Sequence, residues 1–171
     1  MSKKIACVVT DMVEDSEYTE PAKAFKEAGH TVVTIEMEKG KTVTGKNGEA
    51  KITIDESIDS VNPSDFDALF IPGGSSPDAL RGDDRFVTFA KSFMDDKKPV
   101  FAICHGPQLL ITAKTLDGRT ATGYKSIKVD MENAGVNFKD EEVVVCGNQL
   151  VTSRTPDDIP AFVRESLNLL K

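Results

Sequence analysis

A chain of 171 residues, 39% hydrophobic and 29% charged, has the size and composition of one globular domain (residues 1–171) with a single substantial core. The formal charge of −7, with no Lys/Arg cluster to offset it, argues against a nucleic-acid partner. No segment approaches the ~20 apolar residues of a membrane span, so no membrane partner is expected.

The elements alternate between strand and helix from end to end. Lys4–Thr10 is a near-continuous apolar run, as in a parallel strand covered on both faces. It is too short for a signal-peptide core and meets Asp11, Glu14 and Asp15 at once. A helix is predicted over Tyr18–Ala28, with Pro21 at its start or at a kink and Gly29 as its stop. Thr31–Met37 is a second strand. Lys41–Ile54, with Lys46-Asn47-Gly48 between Thr/Val/Ile-rich arms, reads as a hairpin.

Asp67–Ile71 is a buried strand closed by Pro72-Gly73-Gly74. From Asp84, the residues Phe86, Phe89, Ala90, Phe93 and Met94 form an apolar stripe at helical spacing. Pro99–Ile103 is a strand and Gly106–Ala113 a short helix. Ser126–Ala134 reads as a helix with Ser126 as N-cap and Gly135 as its stop. Glu142–Cys146 and Gln149–Ser153 read as a second hairpin, followed by a terminal helix carrying Ile159, Phe162, Val163, Leu167 and Leu170 on one face. This alternation implies an open, mostly parallel α/β sheet with helices on both faces. Ligands bind such sheets beyond the carboxyl ends of the strands, which places Glu14, Gly73-Gly74 and Cys104 on one edge.

The chemistry concentrates at Pro99-Val-Phe-Ala-Ile-Cys-His-Gly-Pro107, where an apolar strand stops at Cys104 and a helix begins. A helix N-terminus favours a thiolate, and Pro107 suits a first turn that needs no amide hydrogen. Cys7 and Cys146 lie inside apolar strand runs and read as core cysteines. The odd, widely spaced set of three cysteines fits a reducing compartment, and the expected location is cytoplasmic. Of the two histidines, His30 falls in a helix-to-strand connection, whereas His105 adjoins Cys104 and is its candidate proton acceptor. Two distant histidines and no Cys-x-x-Cys leave no metal ligand set, and no cofactor is expected.

An acidic group, Asp11, Glu14, Asp15, Glu17 and Glu20, surrounds the start of the first helix. Most of it is explained by the helix dipole. One carboxyl near the thiolate would have its pKa raised and could donate a hydrogen bond to sulfur. Position just past the strand end favours Glu14, with Asp15 an open alternative. Gly73 and Gly74 leave backbone N–H groups unobstructed, as an oxyanion site requires. Asp78 reads equally as a helix cap, and Tyr124 as a half-buried phenol or a substrate contact.

Together, Asp11-Met-Val-Glu-Asp15, Thr44-Gly-Lys-Asn-Gly48, Phe66-Asp-Ala-Leu-Phe-Ile-Pro-Gly-Gly74, Ala102-Ile-Cys-His-Gly-Pro-Gln108, Asp130-Met-Glu-Asn-Ala-Gly135 and Thr152-Ser-Arg154 resemble the PfpI family of intracellular cysteine hydrolases, within the class I glutamine amidotransferase-like superfamily. The resemblance implies a flavodoxin-like three-layer sandwich with Cys104 as nucleophile in a strained elbow and His105 as base. It implies that Glu14 contacts the sulfur and that the Gly74 and His105 amides help hold an oxyanion. It also implies a homo-oligomer in which a neighbouring copy supplies an acid to the histidine; Asp78 is the matching position, where relatives often carry Glu. No histidine follows His105, so a downstream catalytic histidine is not available within the chain.

The expected activity is that of a stress-protective cysteine hydrolase acting on glyoxals or aldehyde-damaged proteins. The alternatives are an intracellular cysteine peptidase and a redox sensor or chaperone that uses an oxidisable Cys104.

Overall fold

The computed structural model describes all 171 residues. β1 (Lys4–Val8) leads to α1 (Asp15–Glu27) and β2 (Thr31–Glu36). Short strands β3 (Thr42–Thr44), β4 (Lys51–Thr53) and β5 (Glu56–Ser57) follow, then β6 (Ala68–Ile71). α2 (Ser76–Leu80), α3 (Asp84–Asp95), β7 (Val100–Ile103) and α4 (Pro107–Thr112) form the middle of the chain. β8 (Thr120–Ala121), α5 (Lys128–Asn133), β9 (Asn137–Phe138), β10 (Val144–Cys146), β11 (Leu150–Ser153) and α6 (Ile159–Leu169) complete it.

Seven strands make the main sheet in the order β10-β11-β7-β6-β1-β2-β5. Every neighbouring pair is parallel except β10 with β11. The turn between β10 and β11 has left-handed backbone at Gly147 and Asn148, and Gln149 N–H closes it onto Cys146 O at 3.1 Å. Two positive φ values in a row are what a tight hairpin requires, so the predicted second hairpin is present at the sheet edge.

Both faces of the sheet are covered, which accounts for the unbroken apolar runs. Along β1, Ala6 and Val8 join one core while Ile5 and Cys7, with Val9 just past the strand, join the other. Along β7, Val100 and Ala102 face the first core, and Phe101 and Ile103 the second. The first core takes Phe86, Phe89, Ala90, Phe93 and Met94 of α3, the stripe read from sequence, with Leu109, Leu110 and Met131. The second is closed by Phe25 of α1 and Ile159 and Phe162 of α6. The architecture is therefore the expected three-layer α/β sandwich.

Some boundaries differ from expectation. α1 begins at Asp15, three residues early, and Pro21 lies inside it rather than at its start. Residues Lys125–Ile127 form a 3₁₀ turn before α5, so Ser126 is not a helix cap and its hydroxyl is released for another partner. Cys146 is not a core residue; on the edge strand it is half-buried, and its sulfur accepts a hydrogen bond from Arg119 Nε at 3.3 Å. Burial works to raise that thiol's pKa, and the Arg119 guanidinium and the Thr120 amide together outweigh it and hold the thiol below its ordinary value.

The β3–β4 hairpin lies outside the main sheet and is tied to α1 by one carboxylate. Asp15, 3% exposed, accepts the N–H groups of Asn47 (2.8 Å), Glu49 (3.0 Å) and Ala50 (2.7 Å). Burial alone would raise its pKa; the three donors hold it below the ordinary value. Asp15→Ala leaves three N–H groups without their acceptor. It is expected to cost about 2–4 kcal/mol in denaturant unfolding at pH 7, with a smaller loss for Asp15→Asn. The folded-state pKa is depressed, so this contribution is present above pH 3.8 and is lost as the pH falls below it. A loss below about 0.5 kcal/mol in Asp15→Ala would contradict the role assigned to this residue.

Candidate active site

The chain moves from β1 outward to β2 and β5, then crosses back to β6 and β7 on the other side of β1. The crevice at that reversal, beyond the carboxyl ends of β1, β6 and β7, is where open α/β sheets bind ligands. A cavity of 480 Å³ opens there, and Glu14, Glu17, Lys46, Gly74, Asp78, Cys104, His105, Gln108 and Tyr124 line it.

Cys104 follows the last residue of β7 with φ +63°, a left-handed backbone at a non-glycine residue. Such a conformation costs about 1–3 kcal/mol and persists only where surrounding bonds over-determine it. Here Cys104 N–H donates to Ser153 O of β11 at 2.9 Å, and Cys104 O accepts Tyr124 N–H at 2.9 Å. Gly106 N–H closes the turn onto Ile103 O at 2.9 Å. The side chain is thereby turned out of the strand into the cavity, yet is only 7% exposed.

Four groups meet the sulfur. The amides of Gly74 and His105 donate to it, and the Glu17 carboxyl is in contact with it. His105 Nδ1 lies 3.3 Å away. Burial pushes the Cys104 thiol well above its ordinary value and the negative charge of Glu17 adds to this, while the two amides act in the opposite direction. Burial, then repulsion by Glu14, pushes Glu17 up to about 8. The two acids are therefore coupled, and ionisation of one opposes ionisation of the other. Glu17 Oε1 accepts Gly73 N–H at 3.1 Å, and Oε2 is buried without a hydrogen-bond partner. A carboxyl that keeps its proton there can donate it to a thiolate.

This corrects the choice of acid. Glu14 stands just before α1 at the cavity wall, where it pairs with Lys46 at 3.5 Å and accepts a hydrogen bond from Asn47 Nδ2 at 3.2 Å. The helix starts three residues earlier than the sequence pattern suggests, which carries Glu17 into the first turn and under the sulfur. The spacing of Glu14 and Glu17, three apart on one helix face, is the signal that would have raised Glu17 as an alternative.

Gly73 and Gly74 divide their roles. The Gly73 amide is committed to Glu17, so it is not a free oxyanion donor; Gly74 supplies the amide that reaches the sulfur. A Cβ at Gly73 would collide with the Glu17 carboxyl and lie 2.8 Å from Cys104 Cβ. Gly74 has φ +75° and packs against the Met12–Glu14 backbone, where the loop after β6 is stitched to the loop after β1.

The His105 ring stacks on Tyr124 with centroids 5.0 Å apart. Its Nε2 lies 3.2 Å from Ser126 Oγ, a partner freed by the 3₁₀ turn and absent from the sequence-based set. A neutral ring that donates Nε2–H to Ser126 leaves Nδ1 as an acceptor facing the sulfur. Burial, then the Lys46 charge, lowers the His105 pKa, with Asp78 opposing. Asp78 thus acts on His105 from the same chain, but its carboxylate is 70% exposed and its nearest partner is Arg81, at 3.9 Å. Gln108 Oε1 is buried on the cavity wall without a partner, an acceptor available to a bound ligand.

A cysteine elbow at the switch point of a mostly parallel sheet defines an α/β sandwich with a cysteine-centred cavity, and the chain belongs to the DJ-1/PfpI family, which it matches over residues 3–169. It is 75% identical to General stress protein 18 of Bacillus subtilis over 100% of this chain and 99% of that one. It is 64% identical to Protein/nucleic acid deglycase 2 of Escherichia coli, over 99% of each chain. It is also 64% identical to the Putative cysteine protease YraA of Bacillus subtilis over 100% of each. Among solved structures, a two-domain protein of Anabaena variabilis with DJ-1/ThiJ/PfpI-like and ferritin-like domains superposes with a TM-score of 0.95 at 39% identity. The match covers 98% of this chain and 48% of that one, so the chain spans about half of the two-domain protein.

The raised Glu17 pKa has a consequence for stability. Between the ordinary value of 4.5 and about 8, the native state binds a proton that the unfolded chain has released. Its contribution to stability is therefore full at low pH and is lost as the pH rises through about 8. Thermal melts from pH 5 to pH 9 are expected to show a steeper fall for the wild type than for Glu17→Gln. Parallel pH profiles would show that Glu17 is not proton-bearing in the fold.

Proposed function

We propose that this chain is a stress-protective, cysteine-dependent hydrolase whose substrates are glyoxal-type aldehydes and the adducts they leave on proteins. The observation that carries the reading is the buried Cys104 elbow, whose sulfur faces two amide donors, the Glu17 carboxyl and His105 Nδ1 in a cavity of 480 Å³. The names of the stress-protein and deglycase relatives point the same way. The cavity suits a small carbonyl compound or one modified side chain rather than a length of extended peptide.

For a glyoxal the steps balance without an external oxidant. His105 takes the thiol proton, the sulfur bonds to the aldehyde carbon, and the carbonyl electron pair becomes an alkoxide that regains the proton from the imidazolium. His105 then moves the hydrogen from that carbon to the neighbouring carbonyl carbon. The first carbon is thereby oxidised to a thioester and the second reduced to an alcohol. Water adds to the thioester, the carbon–sulfur bond breaks, and a 2-hydroxy acid leaves. Glu17 holds its proton toward the sulfur whenever the sulfur is anionic, and the Gly74 and His105 amides are placed to stabilise developing negative charge. In this reading the protein is a homo-oligomer, and the exposed Asp78 is the acid that reaches the histidine of a neighbouring copy.

The peptidase reading draws on the name of the third relative. Turnover of methylglyoxal and of a fluorogenic peptide separates the two. The wild type is expected to convert methylglyoxal to lactate with little peptide cleavage, and Cys104→Ala to lose at least about a thousandfold in kcat/KM. Equal rates in the two proteins would overturn the role of the thiol. Stable sulfinic acid at Cys104 after mild peroxide, with no turnover of either substrate, would favour the redox-sensor reading instead.

A further inference from the structure

Beside the nucleophile lies a second cavity of 540 Å³, and Tyr124 is common to the walls of both. We infer that this side cavity, with Lys125, Lys128 and Arg154 in its wall, is a subsite for a phosphate group carried by the substrate. The inference rests on the proposed function and deepens it by naming a substrate class, short-chain 2-oxoaldehydes that bear a phosphate.

Charge is the first argument. The chain carries −7 overall, yet three cations line this cavity against one carboxylate, Asp140. That carboxylate is 83% exposed and is paired with Arg154 at 3.0 Å. Lys125 and Lys128 make no ion pair. Lys128 Nζ instead sits 5.8 Å from the centre of the Phe138 ring, a contact that positions a cation without occupying its hydrogen-bond donors. Arg154 is fixed by Asp158, which accepts from Nε at 2.9 Å and from Nη2 at 3.0 Å. Asp140 and Asp158 between them balance Arg154, so the positive charge left in the concavity is that of the two unpaired ammonium groups, which together match a dianion with several acceptor oxygens.

Proximity to the thiol is the second. Lys125 precedes Ser126, the partner of His105 Nε2, in the same 3₁₀ turn. Arg154 follows Ser153, whose carbonyl receives the Cys104 amide. Both walls of the side cavity are thus covalent neighbours of groups that hold the elbow. An aldehyde carbon at the sulfur and an anionic group past Tyr124 can belong to one molecule of a few carbons.

The test pairs binding with turnover on the full chain. Inorganic phosphate titrated into the wild type is expected to shift the amide resonances of Gly123, Lys125 and Lys128, and Lys128→Glu to abolish those shifts while melting at the wild-type temperature. In kinetics, the ratio of kcat/KM for hydroxypyruvaldehyde phosphate, a 2-oxoaldehyde, to that for hydroxypyruvaldehyde is expected to exceed one at low salt. That ratio should fall by about tenfold in Lys128→Glu and move the same way in Lys125→Ala. Phosphate shifts spread over the surface lysines generally, or a ratio unchanged in both variants, would overturn the subsite. If phosphate binds as expected but no aldehyde is turned over, the hydrolase reading fails and the subsite stands. If 2-oxoaldehydes are turned over without charge preference and phosphate shifts none of the Gly123, Lys125 and Lys128 amides, the subsite fails and the hydrolase reading stands.

Discussion

The left-handed backbone of Cys104 is the constraint on which the site depends. With φ +63° the residue breaks from β7 and aims its sulfur across the ends of the neighbouring strands. A conformation of this cost, about 1–3 kcal/mol, needs support on several sides. Support comes from β11 through the Ser153 carbonyl, from the segment before the 3₁₀ turn through the Tyr124 amide, and from Gly106 across the turn. Each of those segments also carries a site feature: Arg154 after Ser153, the Tyr124 ring and Ser126 beside His105, and the α4 N-terminus after Gly106. The elbow is therefore a junction that sets their mutual positions.

The sulfur enters an environment that is mostly dry and already charged. Burial disfavours a thiolate there, and an ionised Glu17 would disfavour it further. The fold offsets this in two ways. The Gly74 and His105 amides supply fixed partial positive charge, and Glu17 is driven by its own burial to hold a proton up to about pH 8. Lys46 compensates Glu14, and it reaches the cavity only because Asp15 anchors the β3–β4 hairpin against α1. Two adjacent carboxyl residues thus do opposite work. Asp15 is kept ionised to organise a loop, and Glu14 at the helix start holds the lysine over the cavity.

Much of this was legible in the sequence. The two-faced burial of β1, β6 and β7 is written as unbroken apolar runs, and the α3 stripe maps residue for residue onto one core. Cys104 and His105 stand out because a strand ends where a Gly-Pro pair opens a helix. What the sequence could not disclose depends on where a turn begins. The start of α1 decides whether Glu14 or Glu17 lies under the sulfur, and three residues on a helix is most of a turn. The 3₁₀ turn at Lys125–Ile127 likewise converts Ser126 from an expected cap into a histidine partner. Cys146 looked like core because its strand is apolar, but an edge strand leaves one side open, and Arg119 takes it.

The account stands or falls on the proton held by Glu17. If burial and the Glu14 charge keep that carboxyl neutral near pH 7, it can stabilise a Cys104 thiolate; if it is ionised there, it opposes one. Infrared difference spectroscopy between the wild type and Glu17→Gln at pH 7 reads this directly. The account predicts a carboxylic-acid carbonyl band that is present in the wild type, absent in the variant, and lost from the wild type as the pH is raised past about 8. A difference spectrum at pH 7 showing only the symmetric and antisymmetric bands of a carboxylate would contradict it.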